Sequence, residues 1–152
     1  AQFIIDRKMG RQISREEAFE ILKKAEEAGL VHASINRQDI DFVCNCCPCH
    51  SIILKTALAQ SKPGVILNSG FQPEHSGERC IACGVCIDRC PTGALTLSDT
   101  EEWKLNLDRC IGCGVCATGC QSEAIALVTR AGAVPPPVDQ KALLEAVKAS
   151  RA

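Results

Sequence analysis

Cys80, Cys83, Cys86 and Cys90 follow one another as C-x-x-C-x-x-C-x-x-x-C, and Cys110, Cys113, Cys116 and Cys120 repeat the pattern 30 residues later. Three thiolates spaced two residues apart let one loop wrap three corners of an iron–sulfur cubane while its backbone N–H groups turn inward at the sulfurs. The fourth cysteine of each run starts the segment after a short helix and so faces the neighbouring cluster. One 4Fe-4S cluster is therefore expected on Cys80, Cys83, Cys86 and Cys120, and a second on Cys110, Cys113, Cys116 and Cys90. Gly84 and Gly114 sit inside the loops, where the lack of a Cβ permits close approach and unusual backbone angles. Zinc is satisfied by pairs of cysteines and does not call for interleaved triplets. A disulfide framework on the 12 cysteines would need an oxidising compartment, and no export signal directs the chain to one.

A second group, Cys44, Cys46, Cys47 and Cys49 followed by His50, needs a centre of its own, because the repeat already uses its eight thiols. Four readings stand beside one another. The first is a third iron–sulfur cluster on three or four of these cysteines, completed by His50 or by His32. The second is a zinc or mononuclear iron site. The third is a c-type haem, since residues 46–50 satisfy C-x-x-C-H. The last is a set of redox-active or structural thiols. His32 by itself reads more simply as a hydrogen-bonded histidine, His75 as an exposed loop residue, and Trp103 as core or cluster cover.

The elements that must position these residues follow from periodicity and caps. Ser14 and Glu17 form a capping box before Ala18, Ile21, Leu22 and Ala25 at helical spacing, which predicts a helix over 15–28 stopped by Gly29. Residues 1–13 show no helix, with Gly10 as a breaker. A short strand is expected over 30–35, a helix of about ten residues after Ser51, ended by Lys62, Pro63 and Gly64, a brief buried strand over 65–67 and a loop over 68–77. The repeat itself predicts two copies of a loop, short helix and strand related by a pseudo-twofold. Residues 95–97 and 103–107 should pair as a hairpin turning through 98–102, with a last strand over 125–128. Three consecutive prolines make 132–138 a stiff linker, and Asp139 caps a terminal helix whose Leu143, Leu144 and Val147 need a surface to cover.

Composition narrows the class. With 17 Lys+Arg against 18 Asp+Glu and no basic run, nucleic acid is not an expected partner. No stretch approaches the ~20 apolar residues of a membrane span, and the chain is expected to be soluble and cytoplasmic. Aromatic residues are 3% of the chain, so part of the interior must come from clusters and the aliphatic side chains around them. Starting at Ala1 rather than Met, the chain reads as processed or as a piece of a longer polypeptide.

Residues 80–91 match the C-x-x-C-x-x-C-x-x-x-C-P pattern of bacterial two-cluster ferredoxins, and the chain resembles that family over 77–128. The resemblance implies low-potential, one-electron transfer through two adjacent clusters acting as a relay. Gln121 stands where the second copy would carry Pro, which bears on the local turn and leaves the ligand Cys120 in place. More widely, Gly29-Leu30-Val31-His32, then C-N-C-C, then a two-cluster unit is similar to the layout of larger 4Fe-4S dicluster-domain proteins of anaerobic bacteria and archaea. Those usually read C-N-C-C-x-C-C, so His50 occupies a position where Cys is common and is implied as a substitute ligand, leaving a corner open to a small molecule.

The sequence reading is thus an α+β protein: a helical extension at 1–43, a cysteine-rich segment at 44–70, a ferredoxin-like two-cluster domain at 71–130, and a linker with a C-terminal helix at 131–152. Its expected work is single-electron transfer with a reductase or an oxidoreductase subunit as redox partner, as a carrier or module rather than a catalyst on its own. The alternative is an enzyme or sensor whose Cys44–His50 site does the chemistry while the two clusters supply electrons.

Overall fold

The computed structural model describes residues 2–100 and 102–150; Ala1, Glu101, Arg151 and Ala152 lie outside the described residues, and with them the reading of the chain start and one position of the 98–102 turn. Helix α1 (Gln2–Asp6) forms where none was expected: a single turn fits before Gly10, tied by the Gln2 amide to the Asp6 carboxylate at 2.7 Å. Helix α2 (Arg15–Glu27) starts as its capping box predicts, with the Ser14 hydroxyl accepting from the Glu17 N–H at 3.1 Å, and Gly29 follows in the left-handed region. Only Ala25 of α2 is buried, so apolar contact contributes little to its docking.

Strands β1 (Val31–Ala33) and β2 (Cys44–Cys46) pair antiparallel, Val31 opposite Cys46 and Ala33 opposite Cys44. Helix α3 (Ile52–Leu58) is capped by Ser51 but ends after seven residues, short of the ten expected. The expected strand over 65–67 is instead helix α4 (Pro63–Ile66). Pro63 opens it at the position where a missing N–H costs nothing, and the apolar run that reads as a buried strand leaves Val65 67% exposed. The inward side of α4 is Pro63 and Gly64. A Cβ on Gly64 would stand 2.5 Å from the Cys110 carbonyl oxygen, so only glycine lets the helix seat against the loop that carries this thiol.

The expected loop over 68–77 contains strand β3 (Phe71–His75), which pairs antiparallel with β6 (Ile125–Thr129) in a register setting Pro73 opposite Leu127 and His75 opposite Ile125. Phe-Gln-Pro-Glu-His has neither alternation nor a full set of donors, and the strand exists because β6 supplies its partner. A two-stranded ribbon also has a free edge for the proline. Between them, helix α5 (Val85–Asp88) is followed by the expected hairpin of β4 (Leu95–Leu97) and β5 (Trp103–Leu105), and α6 (Val115–Thr118) repeats α5. Among the described residues, three two-stranded antiparallel sheets and short helices make an α+β fold.

Two cores hold the thiols in place. Val31, Leu54, Ile111 and Val115 form one, with Cys46, Leu67 and Cys113 packed on it; Leu95, Cys116 and Ile125 form the other, with Cys86, Cys90, Trp103 and Cys120 against it. At the C-terminus the linker runs back along the loop after β1, where the Pro137 carbonyl accepts from the Gln38 N–H at 2.9 Å. Buried Arg37 pairs with Asp41 and reaches Gln140 at 2.8 Å, at the start of α7 (Gln140–Ala149), which Asp139 caps. Leu144 and Val147 of α7 remain largely exposed.

Candidate metal centres

Each repeat copy delivers its thiols through the same local geometry. Gly84 and Gly114, at φ 77° and 80°, turn the chain into α5 and α6, a left-handed step that any side chain would strain. The third cysteine of each triplet, Cys86 or Cys116, then lies in the first turn of its helix, and the fourth, Cys90 or Cys120, follows the helix end. Beyond that fourth thiol the copies still agree: Cys90 Sγ accepts the Ala94 N–H and meets the Thr92 hydroxyl, at 3.3 and 3.5 Å, while Cys120 Sγ accepts the Ala124 N–H and meets the Ser122 hydroxyl, at 3.3 and 3.6 Å. Gln121, in place of the proline, is exposed and leaves this arrangement intact.

The fold then crosses the copies over. Cys80, Cys83, Cys86 and Cys120 line one hollow of about 400 Å³ including its open mouth. Cys90, Cys110, Cys113 and Cys116 line a second of about 320 Å³. Apart from the thiols both voids are walled mainly by apolar side chains, with His75, Trp103 and Ser122 in the first and Thr92 in the second, and all twelve cysteines are free. Four thiols around one void, with a second such void beside it, is a donor set that suits a cubane in each.

The two environments differ. Burial pushes the Cys113 thiol up to about 11 and the Cys116 thiol up to about 12, with the neighbouring Cys90 and Cys110 adding to it. Such thiols ionise only against a positive centre. In the first hollow burial also raises Cys86, opposed by the indole N–H of Trp103. At Cys120 burial is outweighed by the Ser122 hydroxyl and backbone N–H groups, and the net shift is downward.

The segment 44–50 separates into two parts. Cys47, Cys49 and His50 gather, their ligand atoms all within 4.8 Å of one another, with His50 Nδ1 3.2 Å from Cys49 Sγ and 3.6 Å from Cys47 Sγ. Hydrogen bonds from Cys49 and His50 bring Cys47 down to about 6, and Cys49, the donor, is raised. Cys44 and Cys46, on β2, are outside this trio. Cys44 is exposed, whereas Cys46 packs on the Val31–Leu54 core and shares with Cys113 the wall of a wide open hollow. His32 is also elsewhere: its Nδ1 is 2.9 Å from the Asn45 amide oxygen and its Nε2 faces Glu26 at 3.4 Å.

Sequence reasoning missed His75. It is not a freely exposed loop residue but a half-buried strand residue whose ring stacks on Trp103, centroids 4.7 Å apart, in the wall of the first hollow. Only its pairing across from Ile125 puts it there, and no local pattern announces that pairing.

Residues 79–124 match the family model of the 4Fe-4S dicluster domain. Among curated proteins, none matches the chain. The matched stretch contains all eight thiols of the two hollows, and it marks this part of the chain as a metal-binding, iron–sulfur domain of the 4Fe-4S type with a role in electron transport. Among the described residues no helix is long and apolar enough to cross a membrane.

Proposed function

We propose that this chain is an iron–sulfur electron-transfer protein, or the electron-transfer module of a larger redox enzyme. In this reading one 4Fe-4S cluster is held by Cys80, Cys83, Cys86 and Cys120 and the other by Cys90, Cys110, Cys113 and Cys116. The observation that carries it is the pair of adjacent hollows, each lined by three thiols of one repeat copy and one of the other. A 4Fe-4S cluster in such a site takes up and returns single electrons.

The chain's own groups do the rest. N–H groups of Ala82, Ala94 and Ala124, at 3.4, 3.3 and 3.3 Å from Cys80, Cys90 and Cys120 Sγ, offset thiolate charge. Leu95, Cys116 and Ile125 form one buried cluster on which Cys86, Cys90 and Cys120 pack, and it keeps water out between the two sets. Exposed Cys83 offers a protein partner, a reductase or an oxidoreductase subunit, its shortest approach to the first set. The division at residues 43, 70 and 130, and a cytoplasmic setting in an anaerobe, belong to the same reading. Iron and acid-labile sulfide analysis with EPR of the reduced protein tests it. About eight of each per chain is expected from two 4Fe-4S sites, and stoichiometric zinc without sulfide would overturn it.

A third centre at Cys47, Cys49 and His50 is part of the proposal, as a single metal ion rather than a third cluster. Donors about 2.0–2.3 Å from one zinc-like ion lie no more than about 4.6 Å apart, close to the 4.8 Å span of this trio, whereas the ligands of a cubane sit on separate irons and stand further apart. Two thiolates and an imidazole leave a fourth position, which favours the second reading: an enzyme or sensor acting at this ion and fed by electrons. Cobalt(II) titration tests the site. One equivalent with thiolate charge-transfer bands is expected, lost in Cys47→Ser and Cys49→Ser; bands unaffected by both substitutions would place the ion elsewhere.

A further inference from the structure

The thiols and their hydroxyl and amide partners obey the 30-residue repeat, but the walls behind them do not. Trp103 and His75 line the first hollow, their rings stacked at an interplanar angle of 11°. The indole Nε1 of Trp103 and Nε2 of His75 are both buried and neither completes a hydrogen bond of ordinary geometry in the protein, the indole N–H only approaching the Cys86 thiol whose rise it opposes. An indole N–H can only donate, and a buried donor left unpaired costs free energy that a native fold recovers from something at that place. What faces this pair is the hollow bounded by Cys86. By the 30-residue repeat the counterpart of Trp103 is Pro73, in the wall of the second hollow, and that of His75 is Leu105, neither with a side-chain N–H.

We propose that Trp103 and His75 donate hydrogen bonds to the sulfurs of the centre held by Cys80, Cys83, Cys86 and Cys120, and that this holds it at a higher reduction potential than its neighbour. The inference rests on the reading that each hollow holds a 4Fe-4S cluster. Reduction adds negative charge to the centre and its thiolates, and N–H donors at the sulfurs stabilise the reduced state more than the oxidised one. Exposure acts in the same direction. Cys110 and Cys116 of the second set are 7% and 8% exposed, whereas Cys80, Cys86 and Cys120 are half-buried and Cys83 is exposed. Electrons therefore collect at the first centre, on the side where a partner reaches Cys83, and the dry second centre is the more strongly reducing one. Trp103 carries the larger effect, and His75, stacked flat against it, fixes the plane of the indole and adds its own Nε2–H.

The test uses Trp103→Phe and His75→Phe in the full chain, substitutions that keep a ring in the stack and remove the N–H. Midpoint potentials of both couples are measured by EPR-monitored titration, and each couple is assigned by the hyperfine-shifted β-protons of its cysteines. For Trp103→Phe the couple belonging to Cys80, Cys83, Cys86 and Cys120 should lose about tenfold in its reduction equilibrium, about 59 mV for one electron, while the other couple stays. Equal shifts in both couples, or none in the first, would overturn the inference. A parent protein without two clusters' worth of iron and sulfide would overturn the underlying reading instead. Because the chain contains one Trp, ¹⁵N-indole labelling of the unsubstituted protein reports on Trp103 alone. Hyperfine coupling of that nitrogen to the reduced first centre is expected, and its absence would refute the proposal even if a variant failed to assemble.

Discussion

Replacing Arg89 with Met should loosen helix α2 from the cluster-bearing part of the chain while leaving the adjacent Cys90 in place. The Arg89 guanidinium spans the junction: Nη2 donates to the Glu26 carbonyl at 2.6 Å, Nη1 to the Glu27 carbonyl at 3.2 Å, and Nε to the Val115 carbonyl at 3.2 Å. The first two acceptors are at the C-terminal end of α2, where unpaired carbonyls and the helix dipole favour a cation. A hydrogen bond from a charged donor contributes roughly 1.5–3 kcal/mol. The low end applies here, because the Glu26 carbonyl also accepts the Gly29 N–H and is not orphaned. The two bonds into α2 then come to about 3 kcal/mol. Since Ala25 is the one buried residue of α2, little apolar burial remains to hold the helix once the fork is gone. Hydrogen exchange reads this directly. Amides of α2 should exchange about 100-fold faster in Arg89→Met, with those of α5 and α6 unchanged and the visible spectrum of the clusters retained. Arg89→Lys, which keeps the charge and loses the fork, should fall between. Acceleration of less than about threefold in α2, or equal acceleration in α5 and α6, would refute the reasoning.

Cys120→Ala should remove the centre shared with Cys80, Cys83 and Cys86, although Cys110, Cys113 and Cys116 are its nearest neighbours in sequence. Loss of the β-proton signals of Cys110, Cys113 and Cys116 instead would contradict the crossed ligand sets. Gly64→Ala should destabilise by about 1–3 kcal/mol, because the new Cβ meets the carbonyl oxygens of Cys110 and Leu107 at 2.5 and 2.6 Å, and neither backbone group can swing aside; denaturation and the rate of iron release to a chelator both report it. With no metal on the trio, Cys47 should be the fastest cysteine to react with iodoacetamide. Its pKa is lowered, so thiolate is present above about pH 6 and alkylation should rise to half its maximum there. An inflection near the ordinary value of about 8.5 would remove the basis for the Cys47–Cys49–His50 arrangement.

Much of the chemistry was legible before any fold was known, and the reason is local. A triplet of cysteines two residues apart with glycine inside it defines its loop whatever surrounds it, and the 30-residue repeat carried helices α5 and α6, the β4–β5 hairpin and strand β6 along with it. Caps were equally local: Ser14, Ser51 and Asp139 each bond an amide three residues on. What failed was what depended on a distant partner. Val65 and Ile66 look like strand residues until Pro63 and Gly64 are seen to seat on the 107–110 loop. Phe71 to His75 looks like loop until β6 lies beside it. Within the segment 44–50 the β1–β2 pairing puts Cys44 and Cys46 on a strand, while Cys47, Cys49 and His50 gather in the turn before α3, a placement that also depends on a distant partner.

The sequence by itself determined that eight thiols would gather in two interleaved sets, one around each hollow, because cysteine spacing is a property of the chain over a few residues and the repeat states it twice. Only the tertiary structure decided that the two sets are not equivalent. The burial of Cys110 and Cys116, and the Trp103–His75 pair beside Cys86, arise from segments far apart in sequence packing together, and the environment of a thiolate is set by whatever packs there, not by its neighbours in sequence.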